Sequence, residues 1–545
     1  MKRVALAALL LFANIASAAE RAVLVRLFWL HPPAKIHVEP NPKVTERSCE
    51  TCYPESVSTA FDLDAQHTRP RLILTGRARI SGEGFAPFVF NGDLTVQPGD
   101  GVLLLTLKMP LDDYVAAVLA GESAGFKSDE ALKAMAVAAR TYAVHFGSRH
   151  KMEGFDFCDT THCQDVRLGL ESPRVRTAVA ATEGEMLWYE GRPAATYYHR
   201  NCGGETEDAA ALDPQLKVHY LQRHQDNYCQ RDEWHTDIAK LDLANALGKY
   251  VRGPINTVRV TLRTESGRAE TLLVNSRQIS ATDFRFSVGR SLGWDKLRSD
   301  LYEVQDRGDR VSFRGHGQGH GVGLCQSGAD AMGSQGKSYR EILAFYYPGT
   351  ALGINAQGLR WQKMAGEQID IITTRPEEAQ IVTPVAERAL RFAADKTGWT
   401  LTGRPQIKVF PSIDIYRDST GEPGWVAAST RGMMIRLQPV RTLQDRGVLE
   451  STLRHEFLHM VIESQARSDT PLWLSEGLVI YLSDPEHVHP AKVDTAQLDR
   501  RLKSARTEAE MRAAYRDSAA AVADAVQRVG LAAVLAWVTQ GEPKR

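Results

Sequence analysis

The run His455-Glu456-Phe457-Leu458-His459 constrains the fold of this 545-residue chain more than any other stretch. Residues four apart share one face of an α-helix, so the two histidines can bind a single metal ion. The glutamate between them can act as a general base on a metal-bound water molecule. Glu476 follows in an apolar stretch that a second helix can present as a third ligand. The sequence therefore predicts a Zn²⁺ site at His455, His459 and Glu476, with Glu456 as the base.

This half of the chain resembles zinc metallopeptidases of the peptidase-MA-like, gluzincin type, which combine a His-Glu-x-x-His helix with a glutamate on the next helix. The resemblance covers residues 367–540. It implies an α/β, zincin-like domain that contains the HExxH helix, Zn²⁺ as the cofactor, and a peptide or protein as the substrate. The class leaves the identity of that substrate open.

Length and composition predict several globular domains, and the first residues predict that the protein is exported. A chain of 545 residues with 43% hydrophobic and 24% charged residues is typical of two or three such domains. Residues 1–18 combine a basic start, an apolar segment and a small-residue cleavage site, which predicts a signal peptide. We therefore expect a periplasmic or extracellular protein with no stable membrane insertion after cleavage. The net charge of zero gives no electrostatic footprint for nucleic acid, so no nucleic-acid partner is expected.

The chain has seven cysteines, which an oxidising compartment favours as disulfides. Proximity along the sequence suggests three pairs and one free thiol: Cys49 with Cys52, Cys158 with Cys163, Cys202 with Cys229, and Cys325 free. Spacing alone does not fix this connectivity.

The first two thirds of the chain carry a second set of ordered motifs. In order along the chain they are Glu122–Lys127, Glu130–Ala143, Cys158–Gln164, Tyr198–Thr206, Gly315–Ala329 and Tyr346–Thr350. Together they resemble the SpoIID/LytB family over residues 70–352. The resemblance implies a lytic transglycosylase domain that acts on peptidoglycan glycan strands, with Glu122 as the catalytic acid.

The surroundings of Glu122 suit that role. A glycosidic oxygen needs a proton before it can leave, and a carboxyl group with a raised pKa can supply one. Glu122 stands between two apolar helical segments, whose surface favours the protonated acid. One carboxyl group is enough for a lytic transglycosylase, because the sugar's own 6-hydroxyl attacks. A hydrolase would need a second carboxylate, for which Glu205 and Asp159 are the first candidates.

Glycines alternate with other residues between Gly315 and Gly323, in a pattern that fits neither a dinucleotide fingerprint nor a P-loop. Two interpretations remain open: a glycan groove lined by backbone donors, or a structural tight loop. On the first interpretation, the expected substrate contacts are His316, His320, Gln326 and Tyr198.

Cys158 and Cys163 also have two interpretations. Some relatives in the SpoIID/LytB family hold a metal near the active site through cysteines and histidine. That resemblance implies a second metal site here, with His150 and His162 as the nearest partners. Export instead favours a disulfide between the two cysteines.

The predicted fold class is α+β: a mixed, strand-rich N-terminal domain with a catalytic helical pair, followed by the zincin-like domain. The predicted boundaries are 1–18 for the signal peptide, 19–352 for the glycan-cleaving domain, 353–366 for a linker and 367–545 for the metallopeptidase domain. The predicted function is peptidoglycan remodelling by both domains. Two alternatives remain: a glycan-binding scaffold that does not turn over, and a peptidase that processes an envelope protein.

Overall fold

The computed structural model describes residues 22–49, 54–123, 125–147, 149–213, 216–420, 422–467, 470–504 and 508–541. Over these residues the chain divides into two compact units, Ala22–Leu359 and a second unit that begins at Arg360. The division falls within the stretch 353–366, although residues 362–365 form a strand of the second unit. The signal peptide and Cys52 lie outside the described residues.

The first unit mixes strands and helices. Its strands are β1 (Ala22–Leu27), β2 (Lys35–Arg47), β3 (Glu55–Val57), β4 (Phe61–Asp64), β5 (Leu72–Gly82), β6 (Phe85–Pro98), β7 (Leu103–Pro110), β8 (Phe157–Cys158), β9 (Met186–Tyr189), β10 (Arg192–Pro193), β11 (Tyr198–His199), β12 (Glu233–Ala239), β13 (Val258–Arg263), β14 (Ala269–Val274), β15 (Arg277–Ser280), β16 (Tyr302–Arg307), β17 (Arg310–His316), β18 (Leu324–Cys325) and β19 (Ala351–Gly353). Its helices are α1 (Leu111–Glu122), α2 (Asp129–His145), α3 (Pro173–Ala181), α4 (Lys240–Ala246), α5 (Ala281–Leu292), α6 (Gln326–Ser334) and α7 (Tyr339–Tyr346).

A large sheet with the strand order β3-β2-β5-β6-β7-β1-β8 forms one layer of this unit, and β4 pairs with β2 at one side. Its pairings are antiparallel except that of β1 with β8, which is parallel. In β1 alternate residues are buried, as a strand with one face on a core requires. The parallel pairing places Cys158 beside Arg26 at the edge of the sheet.

Helix α2 is the central element of the core. Ser128 caps it by accepting a hydrogen bond from the Ala131 N–H at 3.3 Å, the usual role of a serine at an N-cap. Its alanine-rich sequence is buried on all sides, because small side chains let α1, α3, α6 and α7 approach closely. The buried Arg140 guanidinium is neutralised by Asp112 on α1 at 2.8 Å.

A separate lobe, residues 233–316, is inserted between β11 and β18. It contains the antiparallel sheets β12-β17-β16 and β13-β14-β15 with α4 and α5. Its hydrophobic core is its own, with Phe284 and Phe313 fully buried. We call this part the inserted lobe.

The second unit also mixes strands and helices, as the α+β class requires. Its strands are β20 (Gln362–Ala365), β21 (Asp370–Thr373), β22 (Gln406–Val409), β23 (Ala428–Arg431) and β24 (Met434–Leu437). Its helices are α8 (Pro376–Thr397), α9 (Ile413–Thr420), α10 (Val440–Asp445), α11 (Leu449–Gln465), α12 (Leu472–Ser483), α13 (Thr495–Ser504), α14 (Glu508–Val529) and α15 (Leu531–Gln540).

The sheet of this unit has the order β20-β21-β22-β24-β23, with β21, β22 and β24 parallel and the two edge strands antiparallel. Helix α11 packs against α8, α12 and the edge strand β23, and α12 packs against α14. In the described part of the chain, no single helix is long and apolar enough to span a membrane, and only the helices 509–529 and 531–540, bent by 112°, pass that test together.

Candidate functional site

Glu122 is the last residue of α1, and each of its carboxylate oxygens accepts a hydrogen bond. The Asp165 N–H donates to Oε1 at 3.1 Å, and the Gln326 Nε2 amide donates to Oε2 at 3.2 Å. Burial raises the pKa of Glu122, while these two hydrogen bonds act in the opposite direction. The structure therefore presents one carboxyl group that can hold a proton and that has donors ready for its ionised form.

Gln326 reaches Glu122 because two short strands meet far from each other in sequence. Strand β11 pairs in parallel with β18, which sets Tyr198 opposite Leu324 and His199 opposite Cys325. Helix α6 begins at the next residue, Gln326, whose side chain is buried against Glu122. The side chain predicted as a substrate contact is thus bonded to the candidate acid.

A chain of hydrogen bonds supports the other side of this site. The Tyr114 hydroxyl donates to Gln164 Oε1 at 2.9 Å, and Gln164 Nε2 donates to the Tyr198 hydroxyl at 2.9 Å. Burial raises the pKa of Tyr198, and the charge of Glu122 adds to that effect. Tyr198 is therefore a neighbour of Glu122. Gln164, which the sequence offered only as part of a motif, joins it to the core.

His316 and His320 contact residues of the inserted lobe and of the glycine-rich stretch. The His316 backbone N–H donates to the Leu301 carbonyl at 2.9 Å, at the end of the inserted lobe. His320 Nδ1 accepts from the Val322 N–H at 3.0 Å, and its ring packs near His199. Burial, then the nearby arginines, lower the pKa of His320 to about 3, so its imidazole is neutral. Their role as substrate contacts remains a prediction.

Three glycines of the glycine-rich stretch, Gly317, Gly319 and Gly323, pack closely against residues 197–203. Gly323 shows why glycine is needed: a Cβ there would lie 2.1 Å from the Tyr197 carbonyl oxygen, and its φ is +73°. Close packing against the protein accounts for this glycine without a ligand, as the structural interpretation of the loop expects.

Asp159 and Glu205, the two carboxylates considered for a hydrolase, are bonded to other partners. Asp159 accepts hydrogen bonds from the backbone N–H groups of Phe28 and Trp29, and Glu205 pairs with Arg223 at 2.7 Å. The charges that act on Glu122 are those of Asp165, which raises its pKa, and the exposed Arg200, which lowers it. Arg200 is a neighbour of the acid that the sequence did not single out.

Four donors gather beside this site: His150, Cys158, His162 and Cys163. Cys163 Sγ lies 3.4 Å from His150 Nε2 and 3.7 Å from His162 Nδ1, and Cys158 Sγ lies 3.7 Å from His162 Nδ1. The neighbouring Cys163 thiol lowers the pKa of Cys158, which favours a thiolate there. Glu153 holds the other nitrogen of His150 at 2.6 Å, as an outer carboxylate does for a histidine ligand. Both cysteines are free thiols, so the predicted Cys158–Cys163 disulfide is not formed and the donor set fits zinc.

The disulfide predicted between Cys202 and Cys229 is not formed either. Both residues are free and buried, and Cys325 and Asp226 share their pocket, so the structure has a group of four donors where the sequence suggested an isolated pair. Cys49 is disulfide-bonded, while its predicted partner lies outside the described residues.

In the second unit, α11 and α12 bring together the three predicted zinc ligands. His455 Nε2 and His459 Nε2 are 3.2 Å apart, and His459 Nε2 lies 3.4 Å from Glu476 Oε2. Glu476 Oε2 is buried without a hydrogen-bond partner among the described residues, which leaves it open to a cation. Burial opposes protonation of His459, but Glu463 and Glu476 raise its pKa to about 10. Because the surrounding carboxylates favour a positive charge on His459, a divalent cation fits the same position.

Glu456 is buried on the same helix, on the side of the edge strand β23. Thr430 Oγ1 donates to Glu456 Oε2 at 2.7 Å. Burial raises the pKa of Glu456, as suits a group that accepts a proton during catalysis.

Comparison with known proteins relates the first unit to described families. Residues 100–189 match the SpoIID family, described as stage II sporulation protein, and residues 204–323 match DUF8618, a domain of unknown function. An uncharacterized protein of Brachyspira hyodysenteriae is 33% identical over 267 residues, which span 48% of this chain and 71% of that protein. Stage II sporulation protein D of Bacillus amyloliquefaciens is 28% identical over 44% of this chain and 73% of its own length. The amidase enhancer of Bacillus subtilis is 25% identical over 43% of this chain and 39% of its own length.

Proposed function

The chain belongs to the SpoIID family through its first unit, and on that premise we propose that this unit cleaves peptidoglycan glycan strands as a lytic transglycosylase. The observation that carries the proposal is Glu122, a half-buried carboxyl group with a raised pKa and a hydrogen-bond donor on each oxygen. The relatives named stage II sporulation protein D and amidase enhancer support a role at the cell envelope of an exported protein.

The reaction needs two proton transfers, both of which involve Glu122. Protonated Glu122 gives its proton to the glycosidic oxygen, so that the bond to the leaving sugar breaks. The resulting carboxylate is stabilised by the Asp165 N–H and the Gln326 amide. It then takes the proton from the 6-hydroxyl of the sugar that keeps the anomeric carbon, as this 6-oxygen bonds to that carbon. The product is a 1,6-anhydro end, and Glu122 regains its proton.

The second donor group supports this site through the residues that follow Cys163. Its members are His150, Cys158, His162 and Cys163. A zinc ion bound there would supply a rigid anchor for the chain. Cys163 is followed directly by Gln164, which bonds Tyr114 and Tyr198, and by Asp165, which donates to Glu122. These residues therefore hold one of the two donors to the acid in place.

Substitution of Glu122 tests the glycan-cleaving function. Glu122→Gln should lower turnover of purified peptidoglycan by about 10²-fold or more while glycan binding is retained, because the amide cannot give a proton. Glu205→Gln is the matched control, since Glu205 is paired with Arg223 and should leave turnover unchanged. The readout is mass spectrometry of the released muropeptides.

Two outcomes of this experiment would contradict the proposal. Products with ordinary reducing ends would make the unit a hydrolase and require a second carboxylate. Glycan binding by the unaltered protein without any released product would favour the scaffold.

We also propose that the second unit is a zinc-dependent peptidase. The observation that favours this is the convergence of His455, His459 and Glu476 beside the buried Glu456. A zinc ion held by His455, His459 and Glu476 would supply Lewis-acid activation of the peptide carbonyl and of water, and Glu456 would accept a proton from that water. The substrate is a peptide of the cell wall or an envelope protein.

Two variants separate metal binding from peptide cleavage. Glu456→Gln should keep the zinc and lose peptide cleavage, since an amide cannot accept the proton. His455→Ala/His459→Ala should lose one equivalent of zinc from the same protein. Unchanged cleavage by Glu456→Gln would make Glu456 a structural residue, and unchanged zinc in the double variant would contradict the metal site.

A further inference from the structure

Three cysteines that the function of the protein does not use meet in one buried pocket. Cys202 follows β11, Cys229 lies in the loop before the inserted lobe, and Cys325 ends β18. Together with Asp226 they place three sulfur atoms and one carboxylate oxygen within 4.8 Å of one another. We call these four residues the thiol cluster.

We propose that the thiol cluster binds one zinc ion, with the three sulfurs and an Asp226 oxygen as its ligands. Zinc–sulfur distances of about 2.3 Å place the sulfurs of a tetrahedral site about 3.8 Å apart. The four donor atoms all lie within 4.8 Å of one another, so small side-chain shifts bring them to that geometry. Cys202 Sγ already lies 3.3 Å from Asp226 Oδ2.

The backbone around Cys325 is arranged for a thiolate. The Cys202 N–H and the Gly328 N–H both point at its sulfur, at 3.3 and 3.4 Å. The second contact makes Cys325 the N-cap of α6, and the N-terminus of a helix favours a negative charge. Such N–H contacts provide the charge stabilisation that a metal-bound sulfur needs in a buried position.

Asp226 is oriented by its own outer contacts. Its Oδ1 accepts from the backbone N–H groups of Tyr228 and Cys229, each at 3.1 Å, and its Oδ2 accepts from the Tyr346 hydroxyl at 2.8 Å. A Cβ at Gly328 would lie 2.2 Å from the Tyr346 hydroxyl and 2.4 Å from Asp226 Oδ2, so glycine is required here. Outer contacts of this kind hold a ligand in one orientation toward its metal.

A disulfide accounts for less of this arrangement. It would use two of the three sulfurs and leave the third beside a carboxylate that is 1% exposed. The hydrogen bonds to Asp226 bring no positive charge to this buried carboxylate, which a zinc ion supplies and a disulfide does not. Thiolate ligands also select zinc over Mg²⁺ or Ca²⁺, which prefer oxygen.

Four protein ligands leave no open position, so this site is structural and not catalytic. It ties three segments of the chain together. Cys325 directly precedes Gln326, the donor to Glu122 Oε2, so the site fixes the start of α6 beside the acid. The metal site itself does not depend on the cleavage chemistry proposed above.

Cobalt substitution tests the proposal on the full-length protein, because a sulfur-to-cobalt charge-transfer band reports thiolate ligands alone. The site at His455, His459 and Glu476 contains no sulfur and gives no such band. In Cys158→Ala/Cys163→Ala, the band and the visible bands of tetrahedral cobalt should persist, with about one equivalent of thiolate-bound metal. Adding Cys229→Ser or Cys325→Ser should remove that equivalent.

A measurement on the unaltered chain covers the case in which these variants do not fold. Its charge-transfer intensity should correspond to five thiolates, and two thiolates would mean that only the Cys158 and Cys163 site binds metal. Absence of the band in folded Cys158→Ala/Cys163→Ala would overturn the proposal. So would peptide mapping that finds a Cys202–Cys229 disulfide in the protein as isolated.

Discussion

Gln326→Met should shift the pH dependence of glycan cleavage toward higher pH. Methionine has nearly the volume of glutamine but cannot donate a hydrogen bond, so Glu122 Oε2 loses the contact of 3.2 Å. That contact stabilises the carboxylate and therefore lowers the pKa of Glu122, in opposition to burial. Its removal favours the protonated form.

The magnitude follows from the strength of that hydrogen bond. A hydrogen bond to a charged group contributes about 1.5 kcal/mol at the weak end of its range, which suits this long contact. One pH unit corresponds to about 1.4 kcal/mol, so the pKa of Glu122 should rise by about one unit. Because the acid must begin the cycle protonated, activity is lost as pH rises through this pKa. The alkaline limb of the profile should therefore move up by about one unit, with a maximal rate up to about tenfold lower.

The assay measures anhydro-muropeptide release from purified peptidoglycan across the pH range, with substrate in excess. Gln335→Met is the matched control, because Gln335 follows α6 at its exposed end and the change removes the same amide. The control should reproduce the profile of the unaltered protein. An alkaline limb that stays in place in Gln326→Met, or moves to lower pH, would refute the assignment of Glu122 as the acid held by Gln326.

Two further predictions concern metal and stability. Cys163→Ser should lower the zinc content of the purified protein by up to one equivalent. It should also slow glycan cleavage about tenfold or more, because Gln164 and Asp165 lose their anchor. Elemental analysis and the muropeptide assay on one sample check both results. An unchanged zinc content would contradict the prediction. Phe284→Ala should destabilise the inserted lobe by about 3–5 kcal/mol, since Phe284 is fully buried in that core, and denaturant unfolding measures the loss. A change below about 1 kcal/mol would show that the core refills the cavity.

Local patterns predicted much of the secondary structure. Local sequence favours a helix entered through Pro110 and another capped by Ser128, which are α1 and α2, and apolar runs that form strands at 370–373, 406–409 and 434–437. These elements depend on periodicity and capping, which neighbouring residues determine. The inserted lobe was not separated from its surroundings, because its short strands become distinct only once they pair.

The sequence indicated which site residues lie together where they stand on neighbouring turns of one helix. Partners that come from distant segments of the chain were missed or paired wrongly. His455 and His459 are brought together by helical spacing alone. Two predicted cysteine pairs, Cys158–Cys163 and Cys202–Cys229, were wrong, because each pair meets further donors that sequence spacing does not reveal. Cys325, for example, meets the Cys202 N–H across 123 residues. Gln326 and Arg200 act on Glu122 through tertiary contacts that no local pattern contains.

The parallel pairing of β11 with β18 has a consequence for the order of folding. Two strands of two residues each have little stability of their own, and their contact closes a very long loop. The inserted lobe lies within that loop and has an independent core, so its prior folding shortens the flexible chain that must be closed. We therefore expect the surroundings of Glu122 to form late, after both the sheet and the lobe. A chain emerging on the far side of a membrane would then become competent for cleavage only after β18 and α6 have followed the inserted lobe.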